Sequence, residues 1–336
     1  MKSKVFFTKD ISAAGVEKAY QALWPERSLP LKENKKMAVK LHFGEPGNQC
    51  LLDPKLILPL AKKLNATLID SNVLYAGPRR ETASHYKVAK DHGYGSCPID
   101  ILDGEEEIKI PGVGLFKEVL VGSHLPQYDE LLVYSHVKGH IMNGMGAAMK
   151  NVAMGLASVS GKMAQHSSVL PTTEPANCKA CGKCVGQCSQ QAISIKPLKI
   201  NAKKCIGCGK CVGVCQFGAI DVDWGAMTIP KFQERLACYA AAIYRFRPMS
   251  FINVLANITS LCDCCGEVPP PFVKDIGILA SHDMVAIDQA SYDLVDQHTT
   301  CQDSFAEKGN VTGHYAIDHA AQIKIGSKEY QLVSLD

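Results

Sequence analysis

Two copies of one cysteine ladder constrain this chain more than any other feature. The first reads Cys178-Lys-Ala-Cys181-Gly-Lys-Cys184-Val-Gly-Gln-Cys188, and the second Cys205-Ile-Gly-Cys208-Gly-Lys-Cys211-Val-Gly-Val-Cys215. Each is a C-x2-C-x2-C-x3-C pattern. Both lie in an internal repeat, Asn177–Ile195 over Lys204–Val222, offset by 27 residues with ten of nineteen positions identical. Three thiolates gathered in one tight loop are soft metal ligands, so each ladder predicts a metal centre. A segment this short has little core of its own and needs such a staple.

The spacing resembles that of bacterial ferredoxins carrying two [4Fe–4S] clusters, in which the fourth cysteine of each ladder serves the other cluster. Cys178, Cys181, Cys184 and Cys215 are then expected around one cluster, and Cys205, Cys208, Cys211 and Cys188 around the other. Zinc is the rival, but it takes four ligands and suits this tandem spacing poorly. The chain departs from the family pattern in having Ser189 and Gln216 after the fourth cysteines, where proline is usual. Lysines outnumber acids in the segment, which favours docking on the rest of the chain.

On either side of the ladders the pattern is that of an α/β layer with a mixed, largely parallel sheet and flanking helices. Strands are predicted at Lys4–Thr8, Met37–Leu41, Ala66–Asp70, Ile99–Leu102, Phe116–Val121 and Glu130–Tyr134. Helices are predicted at Ser12–Trp24, Asp53–Leu64 and Arg79–His92. After the ladders come a helix at Ile229–Tyr244, strands at Ser250–Ile258 and Asp275–Ala280, a helix at Asp283–Asp296, helical turns near Ser304 and His314, and a strand at Glu329–Leu335. The last 110 residues hold too few strands for a covered sheet of their own. The expected organisation is therefore one host domain in two parts, 1–170 and 226–336, interrupted by a small α+β ferredoxin-type domain at 171–225. Three separate domains is the alternative.

Composition narrows the partners. A formal net charge of +3 gives no reason to expect nucleic acid, and no apolar run approaches the ~18 residues of a membrane span. The first ten residues contain only a short apolar run, and fifteen cysteines fit a reducing compartment, so a cytoplasmic protein is expected.

Ligands of open parallel sheets bind beyond the carboxyl ends of the strands. Four predicted strands end in chemically capable residues: His42-Phe-Gly-Glu45, Asp70-Ser71-Asn72, Ser135-His136-Val-Lys138-Gly-His140 and Ser281-His282-Asp283. His42, His136 and His140 are candidate acid–base or metal groups. His136 and His140 are expected in a loop, and each histidine has the bland alternative of a satisfied turn residue. Asp283 reads more simply as a helix cap, and Asp288, little more than one turn further on, reads equally well as a site group or an exposed helix residue. The glycines of Asn143-Gly144-Met-Gly146 open a helix carrying Lys150, a pattern that fits an anion site, although small residues also serve close packing. Leu261-Cys262-Asp263-Cys264-Cys265 packs three thiols into four residues, which points to a further metal ion or cluster at Cys262, Cys264 and Cys265. A vicinal disulfide is not expected there. Cys50, Cys97, Cys238 and Cys301 read as isolated buried thiols.

Three stretches together resemble the family named domain of unknown function 362. They are Val39-Lys-Leu-His42-Phe-Gly-Glu-Pro-Gly47, the run from Ser135-His-Val-Lys-Gly-His140 to Lys162-Met-Ala-Gln-His166, and the run from Asp275-Ile-Gly-Ile-Leu-Ala to Ala286-Ile-Asp288-Gln-Ala. The resemblance implies an iron–sulfur protein with an interrupted host domain and assigns no reaction. The expected function is an iron–sulfur redox protein, an oxidoreductase that passes single electrons from an external donor or redox partner to a host pocket. In that pocket His42, His136, His140 and Lys150 would bind or protonate a small anionic substrate or hold another metal. The alternatives are an electron-transfer or interaction module without catalysis, a metal- or cluster-handling protein, and clusters with a purely structural role.

Overall fold

The computed structural model describes residues 2–29, 35–104, 106–166, 170–205, 207–223 and 227–336. The chain opens with β1 (Ser3–Thr8), α1 (Ala13–Leu23), β2 (Met37–Lys40), α2 (Leu58–Lys63), β3 (Thr67–Asp70), α3 (Thr82–Asp91) and β4 (Ile99–Ile101). A hairpin of β5 (Ile108–Pro111) and β6 (Glu118–Val121) precedes β7 (Glu130–His136). A second hairpin, β8 (Lys138–His140) and β9 (Gly144–Gly146), leads into α4 (Ala148–Gly155) and α5 (Val159–His166). The cysteine segment carries β10 (Thr172–Thr173), α6 (Lys183–Gln187), β11 (Ile193–Ile195), β12 (Leu198–Ile200), α7 (Lys210–Val214) and β13 (Ile220–Asp221). The chain then forms α8 (Ile229–Phe246), β14 (Met249–Leu255), β15 (Gly277–Ser281), α9 (Met284–Thr299), α10 (Ser304–Gly309), α11 (His314–Gln322) and β16 (Tyr330–Ser334).

Eight strands from both sides of the cysteine segment form one sheet, in the order β16-β1-β15-β14-β7-β2-β3-β4. Every neighbouring pair is parallel except those made by β15, which runs against both β1 and β14. All seven residues of β7 and of β14 are buried, as a strand covered on both faces requires. Alternation then sorts side chains between the two layers. Leu131, Val133, Phe251 and Leu255 face the helices α4, α8, α9 and α11, whereas Leu132, Tyr134, Ile252 and Val254 face α1 and α2.

Local chemistry explains where elements differ from their predicted bounds. The helix expected at Asp53–Leu64 is split into a 3-10 turn, Pro54–Leu56, and α2, because Pro59 offers no N–H to continue the turn before it. The helix expected from Arg79 begins only at Thr82; Pro78–Arg80 is a separate 3-10 turn. Phe116–Val121 supplies β6, but β6 pairs with β5 outside the main sheet. His136 and His140 lie on strands rather than in a loop, since β7 runs through His136 and β8 pairs with β9.

The cysteine segment forms a third apolar cluster around Leu198, Val212, Ala219, Ile220 and Val222, joined by Leu74 and Met163 of the α/β layer. Two of its lysines pair with acids of the surrounding layer, Lys183 with Glu81 at 3.0 Å and Lys210 with Glu107 at 3.5 Å. Its expected distal boundary at 225/226 lies outside the described residues.

Asp288 is buried, which rules out the exposed alternative for it. Its carboxylate accepts hydrogen bonds from the Ala148 and Met149 backbone N–H groups at 2.9 and 2.8 Å and from Asn253 Nδ2 at 2.9 Å. A residue of α9 thus caps the N-terminus of α4. Asp288→Ala strands all three donors, and the expected loss is about 2–3 kcal/mol of unfolding free energy, measured by urea denaturation.

Candidate functional site

Strands β2, β3, β7 and β14 are mutually parallel, so their carboxyl ends share one edge of the sheet. From β2 the chain proceeds outward to β3 and β4, and then returns to place β7 on the other side of β2. Strand order therefore reverses between β2 and β7, the position where open α/β sheets bind ligands. A cavity of about 330 Å³ lies there. Its lining includes Lys40, His42, Asp70, Arg79, Lys138, His140, Lys150, Lys162, His166 and the Cys262–Cys265 stretch.

One expected contributor is absent. Because β15 is antiparallel, Ser281-His282-Asp283 emerges at the opposite edge. There Asp283 caps α9 through the Val285 and Ala286 N–H groups, and His282 packs edge-on against Trp24 with ring centres 4.6 Å apart. The fourth strand end at the cavity is instead that of β14, which continues into the cysteine-rich loop.

The cavity walls are built from buried charge. Lys40, fully buried, lies 3.0 Å from Asp70 and donates to Asn151 Oδ1 at 2.6 Å. Arg79 bonds Glu45 at 2.8 Å, Tyr75 at 2.6 Å and Asp70 at 3.3 Å. Lys138 bridges Asp263 and the His136 carbonyl at 3.0 and 2.7 Å. Burial alone would push the Asp70 and Asp263 carboxyls up, but Lys40 and His85 beside Asp70, and His136 and Lys138 beside Asp263, hold both well below the ordinary carboxylate range. Burial draws Lys40 down, and Asp70 opposes it.

The four predicted host-site residues separate by environment. His42 faces Arg79, with Nε2 2.9 Å from Nη2, while its Nδ1 accepts the Gly44 N–H at 3.0 Å. Burial and the Arg79 charge hold the ring well below its usual pKa, hence neutral. His140 is also neutral, depressed by burial and by Lys150. Its Nδ1 accepts the backbone N–H groups of Met142 and Asn143 at 3.2 and 3.0 Å, so the ring proton sits on Nε2. His136 does not line the cavity: Nδ1 meets Asp263 at 2.9 Å and Nε2 meets the Ala256 carbonyl at 2.8 Å, and the ring acts by fixing Asp263. Lys150 projects from α4 into the cavity and has no hydrogen-bond or ion-pair partner among the described residues. Burial first, and then Lys138, lower it to about 7. The helix terminus expected to bind an anion beside it is already occupied by the Asp288 carboxylate.

Asp70 was read as part of a chemically capable strand end, but Lys40, Arg79, Asp263, Lys162 and His166 were not singled out as site residues by sequence reasoning. A lysine in the apolar run Met37–Leu41 was the available signal, since a charge in a doubly covered strand needs a buried partner. Lys162, held by Ser71 Oγ and the Ala157 carbonyl at 2.6 Å each, is lowered to about 8 by burial; His166 is lowered to about 3 for the same reason.

The loop after β14 is clamped from two sides. Glu45 N–H donates to the Asp263 carbonyl at 3.0 Å, and Asn48 Nδ2 donates to the Cys265 carbonyl at 3.0 Å. Gly139 N–H bonds the Thr259 carbonyl at 2.7 Å, and a side chain at Gly139 would strike the Ser260 carbonyl. This approach brings donor atoms of His140, Cys262 and Cys264 within 4.8 Å of one another, a group that could hold a metal ion. Cys262 and Cys264 are joined by a disulfide across the intervening Asp263, a pairing the sequence did not predict. Cys265 keeps a free thiol.

The eight ladder cysteines fall into two groups. Cys178, Cys181, Cys184 and Cys215 line one small cavity, and Cys188, Cys205, Cys208 and Cys211 line another. Backbone N–H groups of Ala180, Ala192 and Gly207 point at Cys178, Cys188 and Cys205 Sγ at 3.4, 3.2 and 3.5 Å. Soft donors in fours, with N–H groups aimed at sulfur, could hold metal. Arg80 donates to the Cys215 carbonyl, while its neighbour Arg79 faces the large cavity. Cys50, Cys97, Cys238 and Cys301 belong to neither group. No helix among the described residues is long and apolar enough to cross a membrane.

The chain belongs to the family described as Domain of unknown function (DUF362), which matches residues 37–293. Comparison with curated proteins gives no match. Among solved structures it is similar to the lactate racemase apoprotein from Thermoanaerobacterium thermosaccharolyticum, with 11% identity and a TM-score of 0.44, over 89% of this chain and 58% of that one. A protein from Thermotoga maritima is similar at 9% identity and a TM-score of 0.44, over 88% and 60%. The chain therefore covers less than two thirds of either structure.

The Lys150 shift has a pH consequence with a definite sign. Its folded pKa of about 7 lies below the unfolded 10.5, so the folded state binds this proton less tightly. The residue costs stability fully below pH 7, and the cost fades as pH rises towards 10.5. Lys150→Met is expected to raise the urea midpoint most below neutrality and to match the wild type by about pH 10, in unfolding curves measured across pH.

Proposed function

We propose that this chain is an iron–sulfur redox protein, an oxidoreductase in which two [4Fe–4S] clusters held by the ladder cysteines serve a small anion bound in the sheet-end cavity. One observation carries the reading. Cys215 of the second ladder lines the cavity of the first, and Cys188 of the first lines that of the second, the exchange of fourth ligands that the spacing predicts. When bound, such clusters supply single-electron transfer.

The rest of the proposal concerns the protein's own groups. Lys40, Arg79, Lys138, Lys150 and Lys162 outnumber the lining carboxylates Asp70 and Asp263, so the cavity favours an anion. Arg79 and Lys138 are held rigidly by Glu45 and Asp263, which preorganises their charge. Lys150, poised near neutrality, exchanges a proton with the bound species, and His140 donates Nε2–H. An external protein or small carrier supplies the electrons.

Protein purified without oxygen should contain about eight iron and eight sulfide per chain and give a low-temperature EPR signal after reduction. Cys215→Ala and Cys188→Ala should each perturb a different half of that signal. Stoichiometric zinc, or iron well below four per chain with no reducible signal, would sink the proposal.

A further inference from the structure

We infer that Cys262 and Cys264 form a reversible dithiol–disulfide couple in the sheet-end cavity, whose oxidant is a small anionic disulfide. The identity of the couple stands on the loop itself; only the source of its reducing electrons rests on the function proposed above.

A bond between Cys262 and Cys264 closes a loop of three residues, and the constraint a disulfide places on the unfolded chain grows with loop length. Stability is therefore a weak reason for this bond. Its position gives a better one. Both sulfurs belong to the cavity lining and neither supports an apolar core cluster. Reactive thiols sit in electropositive, partly accessible surroundings, and this wall carries Arg79, Lys138 and Lys150.

The frame keeps the two sulfurs together in either oxidation state. Asp263, between them in sequence, is fixed by His136 at 2.9 Å and Lys138 at 3.0 Å, and its carbonyl by Glu45 N–H. Cys262 is 3% exposed, whereas Cys264 is half-buried. The Cys264 N–H donates to Cys262 Sγ at 3.3 Å, a contact that favours a thiolate on Cys262. His140 lies against the pair, but its Nδ1 already accepts two backbone N–H groups and its proton is on Nε2. In that tautomer the ring offers a donor to sulfur, not a lone pair to a metal, which distinguishes this assignment from a metal site.

Two single-electron donors deliver two electrons to the S–S bond, which breaks, and two protons complete the thiols; Lys150, unpaired among the described residues, is placed to pass protons. In return the Cys264 thiolate attacks one sulfur of the bound disulfide, releasing the first thiol and leaving a mixed disulfide. The Cys262 thiolate then attacks Cys264, re-forming the internal S–S bond and releasing the second thiol. The cationic lining selects anionic over cationic disulfides.

The test uses full-length protein purified anaerobically, with mass-spectrometric mapping of alkylated cysteines. After exposure to oxidised glutathione, Cys262 and Cys264 should be protected and disulfide-linked. After dithiothreitol both should be alkylated, with Cys301→Ser behaving as wild type. Stopped-flow reoxidation should be at least about tenfold faster with oxidised glutathione than with cystamine, a cationic disulfide, a difference of about 1.4 kcal/mol in activation free energy. Three results would overturn the inference: thiols that stay free in oxidant, protection that survives dithiothreitol and is released only by a chelator, or cystamine reacting as fast as glutathione disulfide. Iron and sulfide counts near zero alongside a working couple would defeat the proposed function and leave the couple standing.

Discussion

Lys40 and Asp70 sit on adjacent parallel strands, buried and 3.0 Å apart, and the polar end of the sheet is organised around compensating them. Taking both ions out of water costs several kcal/mol each, and losing one partner would leave a buried charge worth about 3–5 kcal/mol of destabilisation. The protein answers with further partners rather than with solvent. Arg79 reaches Asp70 from the 3-10 turn after β3, Asn151 of α4 accepts from Lys40, and Glu45 neutralises Arg79. Each of these groups also lines the cavity or stands directly behind it, so the chemistry of the site and the satisfaction of a buried ion pair are one problem.

The same turn joins the cavity to the cysteine segment. Arg79 faces inward to His42 and Glu45, and Arg80 reaches the Cys215 carbonyl and the Leu74 carbonyl. Leu74 lines the large cavity and also packs in the apolar cluster of the cysteine segment, as does Met163 of α5, next to the cavity residue Lys162. Packing of the segment against its host therefore uses Leu74 of the site itself, and Arg80 and Met163, each one position removed from a lining residue.

Much of the fold was legible from periodicity and breakers. Twelve apolar residues alternating between two layers in β2, β7 and β14 would be hard to place otherwise, and the bounds of these strands followed to within three residues. The failures have local causes. Pro59 divided a helix, Pro78 separated Arg79 and Arg80 from α3, and the β5–β6 hairpin took a strand out of the sheet. His136 was placed near the chemistry but works from behind it, because strand alternation turns its ring to Asp263 and the Ala256 carbonyl.

The sequence by itself determined what depends on spacing: the two ladders, and the placement of His42 just after β2 and of Lys138 and His140 just after β7. Covalent proximity within a few residues settles such features. Tertiary structure alone decided which strand ends meet. Reversal of β15 removed Ser281-His282-Asp283 from the site and β14 replaced it with Asp263 and three cysteines. Asp288, open between site and surface in the sequence, likewise became the cap of α4. Strand direction and a cap supplied from a distant helix are set by long-range pairing, and no local pattern encodes either one.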